Sequence, residues 1–143
     1  MRIERLTDYI KPVKSVAALI PSSTAITATA VDASGGFDRV CHIIQLGAFG
    51  ATSTFDAEVL ESAETGGTYT KITGADMTAL VSTGAGKTVI IDVPVNSAKP
   101  FQKLRGTAGV STVGLAAIAL MYNGSRILPT DDASTVAENV FVA

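Results

Sequence analysis

Residues 37–72, FDRVCHIIQLGAFGATSTFDAEVLESAETGGTYTKI, read as three consecutive β-strands joined by turns. Val40–Leu46 is almost unbroken apolar sequence, closed by Gly47 and Gly50. Thr54–Ser62 alternates instead, with Phe55, Ala57 and Val59 on one face and Asp56, Glu58 and Ser62 on the other. A half-exposed strand beside one buried on both faces is the arrangement this pairing predicts. Gly66 and Gly67 supply a permissive backbone for a reversal. Thr68–Ile72 then resumes with β-branched and aromatic residues, which fit a pleated surface.

Outward from this stretch the β pattern continues. Lys14–Ile20 is a candidate first strand, Pro21–Ser23 a turn, and Ala25–Val31 a half-buried strand ending at the Asp32–Gly36 turn. Downstream, Gly74–Thr83 is the one place for a helical turn, broken by Gly84-Ala85-Gly86. Val89–Val95 carries Val89, Ile91, Val93 and Val95 on one face, and Pro94 marks an edge or the strand's end. Phe101–Arg105 and Val113–Tyr122 follow as strands, then an Asn123-Gly124 turn and a short return at Arg126–Leu128. The expected core is Val40, Ile43, Phe55, Val59, Val89, Ile91, Val93 and Leu120. Short strands at regular spacing predict an all-β, two-sheet antiparallel β-sandwich of jelly-roll type. The domain is expected over 15–128, between an extended N-terminal arm, 1–14, and a C-terminal tail, 129–143.

The chain has 143 residues, 47% hydrophobic and only 17% charged, against a usual charged share of about 25%. Its size allows one core without disulfides or metal. So few charges protect a free monomer poorly against association. A net charge of −2 gives no basic footprint for nucleic acid. The apolar run Val16–Ile20 is too short for a secretory core, and Gly106–Met121 is shorter than the ~20 residues of a membrane span. Neither export by a signal peptide nor a membrane role is expected.

Few residues offer chemistry. Cys41 is the only cysteine, which excludes an intrachain disulfide and a cysteine zinc site. His42 is the only histidine and lacks the partners of a catalytic triad or a histidine metal site. Gly84-Ala85-Gly86-Lys87-Thr88 imitates the end of a P-loop. Position 81 is Val where that motif needs Gly, and a strand rather than a helix follows. No Gly-x-Ser-x-Gly elbow surrounds Ser22, Ser53 or Ser62. Asp56, Glu58, Glu61 and Glu64 can contact a divalent cation through oxygen, but a solvated strand face explains them without one. Asn123-Gly124-Ser125 fits a glycosylation acceptor, which the turn already accounts for. No catalytic residue, cofactor or metal is expected.

The segments Gly36–Val40, Phe55–Ser62 and Gly67–Ala75 resemble small structural proteins of tailed bacteriophages, a similarity extending over roughly residues 31–122. Members pair a valine–glutamine–glutamate–serine strand with an aspartate–glycine turn and a threonine–tyrosine return. Here Leu60 stands in place of the glutamine, and Glu64-Thr65-Gly66-Gly67 replaces the turn. The resemblance implies a capsid cement, or decoration, protein. Such a protein is a β-sandwich on the outside of the head that bridges neighbouring major capsid subunits and has no catalysis.

The expected function is thus a non-enzymatic virion protein on the capsid exterior, made in the host bacterial cytoplasm. Its partners are the major capsid protein and a second copy of itself, a dimer before a trimer, with no direct contact to nucleic acid or membrane. The expected interface residues lie in the arms. The N-terminal arm carries Ile3, Leu6, Tyr9 and Ile10 among four Lys/Arg and two Asp/Glu; the tail carries Val140, Phe141 and Val142 with three acids and no Lys or Arg. Apolar side chains at a chain end gain stability only when a partner buries them. The alternatives are a tail or neck protein, or a carbohydrate-binding sandwich. The latter relies on exposed aromatic platforms, and this chain has no Trp and three scattered Tyr. A hydrolase is the weakest reading, for want of a nucleophile–base pair.

Overall fold

A computed structural model describes residues 10–19, 21–123 and 136–142. They form β1 (Ile10–Leu19), β2 (Ser22–Thr27), β3 (Val31–Asp32), β4 (Arg39–Phe49), β5 (Thr54–Ser62), β6 (Thr70–Asp76), β7 (Thr88–Pro94), β8 (Phe101–Tyr122) and β9 (Val136–Phe141), with a 3₁₀ turn at Ser82–Gly84. The fold is all-β, as the hydrophobic pattern predicts. β5 has the expected bounds, and β4 extends beyond Val40–Leu46 at both ends.

The organising element is β8. Its first half lies between β2/β3 and β5, with β6 beyond β5; its second half lies between β1 and β4, with β7 and β9 beyond β4. One strand therefore serves both sheets, where the sequence suggested separate strands at 101–105 and 113–122. Glycines within β8 make room for neighbours rather than ending the strand. A Cβ on Gly106 would meet the Phe55 ring at 3.1 Å. The handover between sheets falls between Thr54↔Gly109 and Phe49↔Val113. There Val110 adopts φ 69°, and Thr52 in the adjacent turn adopts φ 59°. For a β-branched residue this left-handed conformation costs about 1–3 kcal/mol.

The core lies between the sheets. Val40, Ile44 and Leu46 of β4, Phe55 and Val59 of β5, Val89, Ile91 and Val93 of β7, and Met121 of β8 are all essentially inaccessible. Six of the eight expected core residues are among them. Ile43 and Leu120 are corrections: both are half-buried on the opposite face of the sheet. Strand periodicity sends Val40, His42, Ile44 and Leu46 inward together, so Ile43 must point out. It forms a cross-strand row with Ile90 and Ile118, its register partners on β7 and β8.

The C-terminal end departs from an extended tail. Residues 136–141 are an edge strand pairing parallel with β7, a departure from the expected all-antiparallel pairing. Parallel pairing follows from β9 entering beside Thr88 and running with β7 toward Asp92. At the other end, Ile10–Lys14 of the expected N-terminal arm belongs to β1, opposite Tyr122–Ile118 of β8. The expected return at Arg126–Leu128 lies outside the described residues.

Candidate interaction surfaces

β4 directs two polar side chains, three residues apart, to opposite faces of its sheet. His42 points inward and is fully buried with Gln102 of β8. The Gln102 side-chain nitrogen donates to the Pro94 carbonyl at 3.0 Å, which orients its Oε1 toward His42 Nε2 at 3.1 Å. An amide oxygen only accepts, so the imidazole proton sits on Nε2 and Nδ1 is left buried without a partner. Burial lowers the His42 pKa to about 4 against the raising effects of Gln102 and Asp92. The ring is neutral and held inside the protein. Beside it, burial pushes the Cys41 thiol up to about 12, far from a reactive thiolate.

Arg39 points outward. Its Nε donates to Asp92 Oδ1 at 2.8 Å, and one terminal nitrogen donates to the Val142 carbonyl at 2.7 Å. The guanidinium lies 4.2 Å from the centre of the Phe141 ring. The Tyr122 hydroxyl donates to the other Asp92 oxygen. Burial, then that hydrogen bond, raises the Tyr122 pKa to about 12. One cluster thus ties β4, β7, β8 and β9 together. The sequence shows Arg39 and Asp92 as single charges in otherwise uncharged strands, but pairing them requires the β4–β7 register.

The residues expected at an interface are divided by this arrangement. Ile3, Leu6 and Tyr9 lie outside the described residues. Ile10 opens β1 opposite Tyr122 and is half-buried. Val140 and Val142 pack against the core, and Phe141 stacks on Arg39. The C-terminal apolar residues are therefore accommodated within this chain.

Two of the three acidic residues of β5, Glu58 and Glu61, face cations on neighbouring segments. Glu58 pairs with Arg105 of β8 and lies 3.7 Å from Lys71 of β6, which also contacts Asp76 at 3.0 Å. Glu61 pairs with Lys99 at 3.2 Å. A hollow of about 240 Å³ beside Glu58 is lined by Asp56, Lys71, Asp76 and Met77 among others. Among the described residues, no three His, Cys, Asp or Glu side chains are grouped to hold a metal ion. The P-loop-like run leads into strand β7 at Thr88. Its Gly86 has φ 73° and donates to the Gly47 carbonyl. The Asn123 side-chain oxygen accepts from the Asp38 amide, which ties the end of β8 to the segment before β4; Gly124 and Ser125 lie outside the described residues. Among the described residues no helix is long and apolar enough to cross a membrane.

The sequence matches no known family and no curated protein. Two solved structures share the fold. One is the PBSX exported protein XepA, at a TM-score of 0.55 and 14% identity over 92% of this chain and 43% of that one. The other is a chain in the structure of infectious bursal disease virus, Gx strain, at a TM-score of 0.52 and 12% identity over 82% of this chain and 34% of that one. This chain thus spans less than half the length of either. At these identities the similarity is one of architecture, an all-β fold shared with an exported protein and with a viral chain.

Proposed function

We propose that this chain is a non-enzymatic virion protein that binds the outside of a bacteriophage capsid and cements neighbouring major capsid subunits. The observation that carries the reading is how the polar side chains are used. His42 with Gln102, Arg39 with Asp92 and Tyr122, and Glu58 with Arg105 each join different strands. The result is a cross-tied body whose exposed large hydrophobic side chains, among the described residues, are Val81, Val110 and Ile118. Cross-linked strands beneath exposed apolar groups suit a protein that holds others in place. The resemblance over residues 31–122 supplies the capsid as the thing held, and the fold shared with a viral chain supports it. The sugar-binding alternative gains nothing here, because Lys103 sits 4.1 Å from the Tyr69 ring centre and occupies that aromatic face.

Self-association as a dimer and an N-terminal contact through Ile3, Leu6, Tyr9 and Ile10 belong to the same proposal. Purified protein mixed with phage heads lacking it should co-sediment at a fixed ratio to the major capsid subunit and raise the temperature at which heads rupture. Deleting residues 1–9 should weaken that attachment while native β-type circular dichroism is retained. Full-length protein that remains in the supernatant at saturating concentration would overturn the capsid role.

A further inference from the structure

The apolar run Val40–Leu46 predicts a strand buried on both faces, yet the described residues cover only its inner face. On the outer face Ile43 lies between Ile90 of β7 and Ile118 of β8, and Cys41 lies beside Leu120. Ile118 is 45% exposed, and Cys41, Ile43, Ile90 and Leu120 are half-buried. Where the chain goes between β8 and β9 bears directly on this face.

β8 is antiparallel to β4, β4 is antiparallel to β7, and β7 is parallel to β9. β8 and β9 therefore run the same way, with β4 and β7 between them. β8 leaves the sheet at Tyr122, level with Arg39, whereas β9 enters at Val136, level with Thr88 and Gln45 at the other end. The chain joining them, residues 124–135, is a crossover. Three strand spacings across and the Arg39–Gln45 length along make a diagonal of about 24 Å, against an extended reach of about 40 Å for such a segment.

Two of the three routes are closed. The inner face is filled by the core, where Val40, Ile44, Val89 and Ile91 are inaccessible. Beyond β9 lies the segment after β6, whose Thr78 amide donates to the Glu138 carboxylate at 3.0 Å. The outer face remains, and chirality selects it too. Asp92 and Tyr122 point outward, and their carbonyls accept from Val142 after β9 and from Asp38 before β4. For L-residues this fixes the hand: seen from outside with β8 running upward, β9 lies to its right. A connection across the outer face is then the right-handed crossover adopted in about 98% of cases, and one through the core is left-handed.

We infer that residues 124–135 cross the outer face of this sheet and that Ile127 and Leu128 cover the Ile43–Ile90–Ile118 row. These two residues stand about a third of the way along the crossover, which brings them level with β4. Of the exposed large hydrophobic side chains named above, Ile118 then belongs to the chain's own packing, and this face is closed to a partner.

The test is a double-mutant cycle on full-length protein. Ile118→Ser should lower the melting temperature by about 6 °C, as at a covered site, whereas Val81→Ser, at a side chain 51% exposed, should lower it by less than about 2 °C. Ile127→Ser with Leu128→Ser should match Ile118→Ser, and all three changes together should lower it clearly less than the sum. If the combined protein does not fold, Ile118→Val and Leu128→Ala complete the cycle. Additive shifts, or a shift at Ile118 as small as at Val81, would overturn the inference. So would an Ile118→Ser shift that varies with protein concentration while the changes at 127 and 128 have no effect, which would give the face to a second copy.

Discussion

Arg39 and His42 leave the same strand three residues apart, and their surroundings could hardly differ more. Arg39 is on the outer face, where water still reaches the edge of the cluster and every polar atom of its carboxylate partner is engaged. His42 is on the inner face with one hydrogen bond made and one ring nitrogen unpartnered. Both join β4 to other strands. The outer cluster does so through charge-assisted bonds, which gain strength where solvent is partly excluded. The inner pair does so at the cost of burying an incompletely satisfied imidazole. The face of a sheet, more than the residue type, decides whether a polar tie is an asset in acid or a weakness.

Removing the outer tie should have the largest effect. Arg39→Ala leaves Asp92 half-buried without its cation and releases the Val142 carbonyl and the Phe141 ring, for a destabilisation of about 3 kcal/mol. Because β9 contacts Arg39 from the sheet edge, amide exchange should accelerate over residues 136–141 before the rest of the sheet. Unchanged protection of those amides would mean that parallel pairing with β7 alone holds β9.

The inner tie should show itself as pH dependence. An unfolded chain takes a proton on His42 near pH 6.5, whereas the folded protein refuses it until about pH 4. The unfolded state therefore binds more protons in that window, and stability falls as pH drops through it, by up to about 3 kcal/mol. Urea midpoints measured from pH 7 to pH 4 should decline more steeply for wild type than for His42→Leu. The variant begins lower at pH 7, because Gln102 Oε1 loses its donor. Parallel pH profiles for the two proteins would sink the assignment of acid sensitivity to His42.

The smallest effect belongs to a third tie, which sharpens the comparison from the solvent side. Glu58 and Arg105 meet on the exposed surface of the other sheet, and Arg105 is 48% exposed there. Glu58→Gln should alter stability by less than about 1 kcal/mol, and raised salt should reduce even that. A larger loss would show that Lys71 and Asp76 work with Glu58 as one network.

The same strand shows where the sequence was legible. Phe55, Ala57 and Val59 alternate with charged partners, so β5 and its inward face could be read directly. In β4 both alternation phases are apolar, and the only polar residue between Val40 and Ile44 is His42, which hydropathy sends outward. Packing sends it inward because Gln102 waits on β8, a contact sixty positions away that no local pattern encodes. The local pattern suggests two strands at 101–105 and 113–122, whereas the chain between them continues as one strand in which Gly106 accommodates the Phe55 ring. The residues of the Arg39 cluster share that difficulty. They are visible in sequence, but their meeting depends on register. Val110 carried no warning, since backbone strain has no signature in residue type.

The double membership of β8 also bears on how the chain reaches this state. β1, β2, β3, β4 and β5 all pair with it, yet it is the eighth strand to be synthesised. At about 5–20 residues per second, the first hundred residues wait some 5–20 s before their common partner has emerged from the ribosome. Hairpin-like pairs β4–β7 and β5–β6 can assemble meanwhile, each with an open edge where β8 belongs. Such edges recruit any strand available, including those of neighbouring nascent chains. Slow expression at low temperature, or a chaperone that shields β-edges, should therefore raise the soluble yield more than any change made to the finished protein.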